Sequence, residues 1–292
     1  MADSDRGRDV FAFDAGGVAV TALSDGTVEA SLGLLRGIPQ SDAARLIELA
    51  GRPVPPRIAV NCFAVHLPEG IVLVDTGAGA TMGPGLGRLP ASLGKAGIAP
   101  RDVIAVLLTH AHPDHSNGLT DAAGNAIFPH ADLIVHRNEV SYWFDDERMA
   151  QASPRKRENN FIAVRRQFAP YAERLRTFDA ERVFSAIEPV ALHGHTPGHT
   201  GYLVGDGPGR VLIWGDIVHI PAVQIPRPDV TVAVDEDTAA AVATRQRLLA
   251  RAADAGLIVA GMHIDFPGLI RIGRAGGTFD FQPIPAPAAG QD

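Results

Sequence analysis

Apolar positions along this chain come in short blocks, some alternating with polar residues and some unbroken, and turn residues close most of them. Residues 18–23 alternate weakly and stop at Ser24-Asp25-Gly26, which predicts a strand closed by a turn. Ser41 and the apolar spacing over 43–49 predict a capped helix that ends at Gly51, ahead of a proline-rich linker over 53–56. Residues 58–67 and 71–74 flank Pro68-Glu69-Gly70 as a hairpin that runs into Asp75-Thr76-Gly77. A glycine-rich stretch over 77–97 has helical spacing in its second half but no GxxxxGK[ST], so tight turns explain it better than a phosphate cradle. Residues 103–108 read as a buried strand, and Pro113 is placed to open a helix. The middle, 137–176, predicts helix with many aromatic residues. Residues 190–192, 201–204, 211–214 and 257–260 predict further strands, 235–255 an Ala-rich helix stopped by Gly256, and 269–284 a closing hairpin.

Strands alternating with helices, together with several hairpins, predict an α/β architecture of mixed sheets flanked by helices. No repeat or autonomous linker divides the chain. A single domain over 1–292 is therefore expected, loose at about 1–12 and 285–292.

Composition narrows the class. The 292 residues are 46% hydrophobic and 20% charged, which suits a folded chain with its own core. Thirty-three acidic against 26 basic residues give a net charge of −7, the wrong sign for a nucleic-acid binder. The basic cluster Arg155-Lys156-Arg157 reads as a solvated face. No apolar run is long enough to span a bilayer and no secretory h-region is visible, so a cytoplasmic protein without a membrane partner is expected. One cysteine, Cys62, leaves no thiol cluster, so any metal must be held by histidine and carboxylate. Cys62 itself reads as a buried small hydrophobe.

The chemistry concentrates in His110-Ala111-His112-Pro113-Asp114-His115, where four ligand-type side chains fall within six residues. On an extended chain His110 and His112 point to one side and can reach a common ion, while a turn into helix re-aims Asp114 and His115. Isolated candidates follow where strands meet loops: His199, Asp216 and His263. His193 and His195 could support the site or belong to a loop. His66, His130 and His136 look structural.

The order HxHxDH, GH, GD and a last His, over 110–263, resembles the metallo-β-lactamase-fold hydrolases. The resemblance implies a four-layer αβ/βα sandwich. It implies one metal held by His110, His112 and His199, a second held by Asp114, His115 and His263, and Asp216 between them, with Asp75 as a support. Over about 60–275, short matches such as Val60-Asn61-Cys62-Phe63, His195-Thr196-Pro197-Gly198-His199-Thr200 and Ala222-Val223-Gln224 look like the branch containing methyl parathion hydrolase and its lactonase relatives. One departure is His219, three residues after Asp216, where acyl-homoserine lactonases place a tyrosine. His219 is thus a candidate for lining the pocket.

Two divalent ions about 3.5–4 Å apart, most plausibly zinc, would make hydroxide available near neutral pH without a protein nucleophile. The expected reaction is opening of an acyl-homoserine or other small lactone, or cleavage of a related ester, with Asp114, Asp216 and His219 as the candidate catalytic groups. An organophosphate triesterase is the alternative, and a non-catalytic metal scaffold the reading of another class. Trp143, Phe144, Phe161 and Phe266 are the expected pocket aromatics. Relatives of this branch suggest a homodimer.

Overall fold

The structure, a computed structural model, describes residues 9–285. In chain order its strands are β1 (Val10–Asp14), β2 (Ala19–Glu29), β3 (Leu35–Arg36), β4 (Arg57–Leu67), β5 (Gly70–Val74), β6 (Val103–Leu107), β7 (Asp132–His136), β8 (Leu175–Phe178), β9 (Ile187–Ala191), β10 (Thr200–Val204), β11 (Val211–Ile213), β12 (Thr231–Val232), β13 (Ile258–Ala260), β14 (Leu269–Ala275) and β15 (Thr278–Pro283). One seven-stranded sheet has the order β1-β2-β4-β5-β6-β7-β8 and a six-stranded sheet the order β15-β14-β13-β11-β10-β9, while β3 and β12 pair separately.

The period of two along each strand decides the layering. Phe63 and Val65 of the first sheet pack with Tyr202, Val204 and Ile213 of the second, so these faces meet in one core. The intervening Cys62 and Ala64 turn to the opposite face and pack with Leu89, Leu93, Trp143, Phe161 and Phe168 from helices and helical turns. On the outer face of the second sheet, Leu203, Leu212 and Val259 meet Leu248, Leu249 and Ala252 of the helix Thr238–Ala255. The result is helix, sheet, sheet, helix: the αβ/βα sandwich. Among the described residues, no helix is long and apolar enough to cross a membrane.

Several expectations need correction. Ser24-Asp25-Gly26 is not a turn but a bulge inside β2, which continues to Glu29. The reason is Asp25, whose buried carboxylate accepts the N–H groups of Ala78, Gly87 and Leu89 and draws the glycine-rich segment onto the strand. Val10–Asp14 form β1, so residues 10–12 of the stretch expected to be loose are strand; residues 1–8 and 286–292 lie outside the described residues. Strands β7 and β8, absent from the sequence reading, extend β5 and β6 in parallel. The aromatic middle is helical in pieces between them, including Arg137–Trp143, Asp146–Gln151 and Ala163–Phe168.

Parallel pairing aligns strand ends. Sites in such sheets gather where the strands finish, and here β5, β6, β11 and β13 deliver Asp75, His110, Asp216 and His263. Gly118, just past the helical turn Pro113–Ser116, lets this region close, since a Cβ there would lie 1.9 Å from the Thr76 carbonyl oxygen. Gly118→Ala should therefore cost about 3 kcal/mol or prevent folding, whereas Gly94→Ala, with open space and ordinary helical backbone, should change stability by less than about 0.5 kcal/mol. Denaturant unfolding of the two variants measures both.

Candidate metal centre

The site is a ring of buried imidazoles around one carboxylate. Asp216 is 3% exposed. Its Oδ1 lies 3.1 Å from His115 Nε2, and its Oδ2 lies 3.1 Å from His219 Nε2, 3.2 Å from His263 Nε2, 3.3 Å from His195 Nε2 and 3.6 Å from His110 Nε2. Asp114, at 21% side-chain exposure the outermost of these groups, stands 3.5 Å from His263 Nε2 and 3.8 Å from His115 Nε2.

Three of the rings are fixed from behind, which leaves their other nitrogen to face inward. His115 Nδ1 bonds Asp75 at 2.7 Å, His263 Nδ1 the Ala59 carbonyl at 2.8 Å, and His195 Nδ1 Asp235 at 2.8 Å. Such rear partners set the tautomer and aim of a ligating histidine. Asp75 itself has φ +59, a strained conformation for a residue with a Cβ, and also accepts both the N–H and the hydroxyl of Thr109.

Inward atoms collect in three sets, each within 4.8 Å: His110, His112, His195 and Asp216; Asp114, His115 and His263; and Asp216, His219 and His263. His112 Nδ1 lies 3.1 Å from His110 Nε2 and 2.9 Å from His195 Nε2. His115 Nε2 and Asp216 Oδ1 are buried and, although 3.1 Å apart, make no well-aligned hydrogen bond to each other or to another protein group. Clustered lone pairs and orphaned buried atoms are the arrangement that a divalent cation satisfies, and an N/O donor set without thiolate suits zinc and its neighbours.

His195 stands where His199 was expected. Both nitrogens of His199 are engaged: Nδ1–H donates to the Leu192 carbonyl at 2.9 Å and Nε2 accepts the Asp216 N–H at 3.0 Å. His199 therefore holds the loop that carries Asp216. Gly215 is required beside it, because at φ +58 a Cβ there would fall 2.3 Å from His199 Nε2. Nothing in the spacing of the two histidines distinguishes them; their rear partners do.

With the geometry described, comparison with known proteins places the chain. Residues 55–263 match the sequence profile of the metallo-beta-lactamase superfamily. This chain belongs to the metallo-beta-lactamase superfamily. Among solved structures it resembles AbOPH, a hydrolase in the beta lactamase superfamily, at 31% identity and TM-score 0.89 over 95% of this chain and 98% of that one. It also resembles AidC, a dizinc quorum-quenching lactonase in complex with a product, at 24% identity and TM-score 0.88 over 96% and 99%. YobT of Bacillus subtilis (strain 168) is 26% identical over 162 residues, 56% of this chain and 63% of YobT.

Two carboxylates that the sequence reading missed hold this superfamily site together. The Asp235 side chain is buried, although the residue as a whole is only half-buried, and besides His195 it accepts the Val232 N–H at 2.9 Å. Buried Glu139 accepts the N–H of Ala111, between His110 and His112, at 2.9 Å and that of Gly198 at 2.8 Å, and so ties the two ligand loops together. Its third bond, at 2.8 Å, comes from the Trp143 indole. Neither carboxylate sits in a recognisable motif; only the return of distant segments to the site reveals them.

The expected pocket aromatics are placed differently from the prediction. Trp143 and Phe161 are 0% and 1% exposed in the core, with Trp143 behind His112 at 5.6 Å between ring centroids. Phe266 packs on the core between the sheets, and Phe144, 41% exposed, lies against Phe168 and under Arg165. Their apolar rings are worth more buried than at a wet mouth.

Electrostatics divide the rings. Burial, reinforced by neighbouring rings, holds His110 and His112 well below the ordinary range, and burial with the His195 charge lowers His199 to about 3. Burial opposes charge on His195 too, but Asp216 and Asp235 outweigh it and raise the ring to about 9. His115 and His263 are likewise raised, burial notwithstanding, by Asp216 with Asp114. In the metal-free chain these three rings hold a proton more readily than a free imidazole does, and a cation must displace the protons they hold. Metal uptake should thus release protons, up to one for each of His115, His195 and His263, and weaken as pH falls; titrating divalent ion into unbuffered apoprotein in a pH-stat measures this. His195→Ala should lose about one tightly bound ion per chain, whereas His199→Ala should leave the His110, His112 and His195 donors in place and instead lower thermal stability.

Proposed function

We propose that the chain is a dinuclear metallohydrolase that opens a lactone ring, of an acyl-homoserine or another small lactone, or cleaves a related ester. The observation that supports this reading is the gathering of eight histidine and aspartate side chains into three adjoining candidate metal-binding sets, two of which contain Asp216 and two His263. The likeness to AbOPH across almost the whole chain supports it. In this reading His110, His112 and His195 hold one ion, Asp114, His115 and His263 the other, and Asp216 lies between, with zinc the best match to the donors. Two divalent ions bound there would supply Lewis acidity and make hydroxide available near pH 7.

The chain's own groups do the rest. Asp114, the most accessible carboxylate of the set, receives the proton of the attacking water and returns it to the leaving alkoxide oxygen, so that a lactone becomes a hydroxy acid. Asp216 is held well below the usual carboxylate range: burial works against its charge, but His115, His263, His110 and His219 outweigh it. It therefore stays ionised and orients what binds beside it. His219 Nε2 lies 3.1 Å from Asp216 Oδ2 and so helps to hold that carboxylate, while its Nδ1 is buried without a partner.

A panel of acyl-homoserine lactones, aromatic lactones, aryl esters and a phosphotriester tests the reading. Lactone turnover should exceed turnover of the others, and it should rise with pH through one ionisation near neutrality. Faster phosphotriester turnover would reassign the main substrate, and a protein with two ions and no turnover would be a metal scaffold. Asp216→Ala should abolish turnover by several orders of magnitude, measured at saturating metal, as expected on removing the group between both ions.

A further inference from the structure

The segment that aims His195 is itself held from outside. Asp235 bonds the His195 ring, the Glu236 N–H donates to the His195 carbonyl at 3.0 Å, and the Asp237 N–H donates to the Gly194 carbonyl at 2.9 Å. Residues 235–237 thus run alongside residues 194–195 and grip both backbone and ring. On the far side, the Glu236 carboxylate accepts the Tyr142 hydroxyl at 2.5 Å and the Lys156 ammonium at 2.6 and 2.7 Å. Lys156 Nζ is also 3.2 Å from the Tyr142 oxygen, which closes a three-membered cluster.

Tyr142 lies in the last turn of the helix Arg137–Trp143 that also carries Glu139, and Lys156 comes from the basic run that the sequence suggested was only a solvated face. Lys156 and Glu236 are 35% and 16% exposed, so the pair is partly desolvated, and a three-group network holds its geometry better than an isolated surface pair. The Tyr142 ring is fixed as well, edge-on to Trp143 at 4.8 Å and beside Phe161 at 5.8 Å. The cluster therefore joins the helical segment to the strip of chain that bonds both the ring and the backbone of His195.

We propose that Tyr142, Lys156 and Glu236 are positioning residues for the metal centre: by fixing residues 235–237 they hold Asp235, and through it His195, in the orientation that binds an ion. The inference rests on the assignment of His195 as a ligand under the proposed function, but it requires neither a particular substrate nor turnover. Without the cluster, Asp235 would still reach His195, but over a wider range of ring orientations, and the ion held there should leave sooner.

Chelator-driven metal release, followed with an indicator dye and no substrate, tests this. The phase that disappears in His195→Ala identifies the ion concerned. Tyr142→Phe, which keeps the ring, and Lys156→Met should each speed that phase by roughly tenfold, the low end of what outer partners of a ligand contribute, and leave the other phase unchanged. Thermal unfolding of the apoproteins shows whether the variants fold. In an Asp235→Ala background the same substitutions should have no further effect, because the intermediary is gone. Equal acceleration of both phases, an undiminished effect without Asp235, or unchanged release with lowered apoprotein stability would each overturn the proposal and reduce the cluster to a structural brace. A wild-type chain that holds one ion overturns the dinuclear reading instead, and the cluster is then judged on that ion's release rate.

Discussion

The fold depends on placing many buried bases around one buried carboxylate. Five imidazole rings lie within 3.6 Å of Asp216 oxygens, on a residue 3% exposed, where neither water nor surface counter-ions compensate for misplacement. Burying such groups is unfavourable unless each polar atom has a partner. The structure answers by giving the outward nitrogens of His115, His195 and His263 protein partners and turning their other nitrogens toward the carboxylate. A metal site built this way resembles a core packed with polar atoms, and its precision comes from what stands behind the ligands.

That requirement reaches into the backbone. Asp75 takes up φ +59 to meet Thr109 and His115 at once. Gly215 and Gly118 occupy places where a Cβ would collide with His199 or with Thr76. Strain and loss of side chain at these points are tolerable because two sheets and their helices over-determine the positions. The same argument explains why the large aromatics lie inside: Trp143 gives its N–H to Glu139, and Glu139 in turn spans the two ligand loops. The helical segment after β7 thus belongs to the site's foundation even though none of its side chains is in the candidate metal-binding sets.

Substrate recognition has a different physical origin from metal holding. Two cavities, one of about 580 Å³ beside Tyr142, Thr196 and Glu236 and one of about 550 Å³ lined by Leu86, Leu89, Leu93 and Phe128, have none of the candidate metal ligands in their walls. None of the four aromatics expected at the pocket lines either of them. Metal chemistry is set by fixed buried contacts, whereas specificity depends on loops that can vary around them.

By itself the sequence determined the local elements and most of the donor set. The β4–β5 hairpin, the Ala-rich helix ending at Gly256 and the β14–β15 hairpin follow from turn chemistry and period, and His110, His112, Asp114 and His115 lie within one turn-sized motif whose function does not need distant chain to be recognised. What tertiary structure decided are the contacts made across long separations. Strand β2 passes through a turn-like tripeptide because Asp25 finds three N–H groups from residues 78–89. Strands β7 and β8 exist because parallel neighbours offer them partners. His195 rather than His199 faces the centre because Asp235, forty residues on, anchors its ring, while Leu192 and Asp216 occupy both nitrogens of His199. Residue type and spacing specify which side chains can bind an ion, but the direction of a ring is set by the group behind it, and that group is brought there only when the two sheets close.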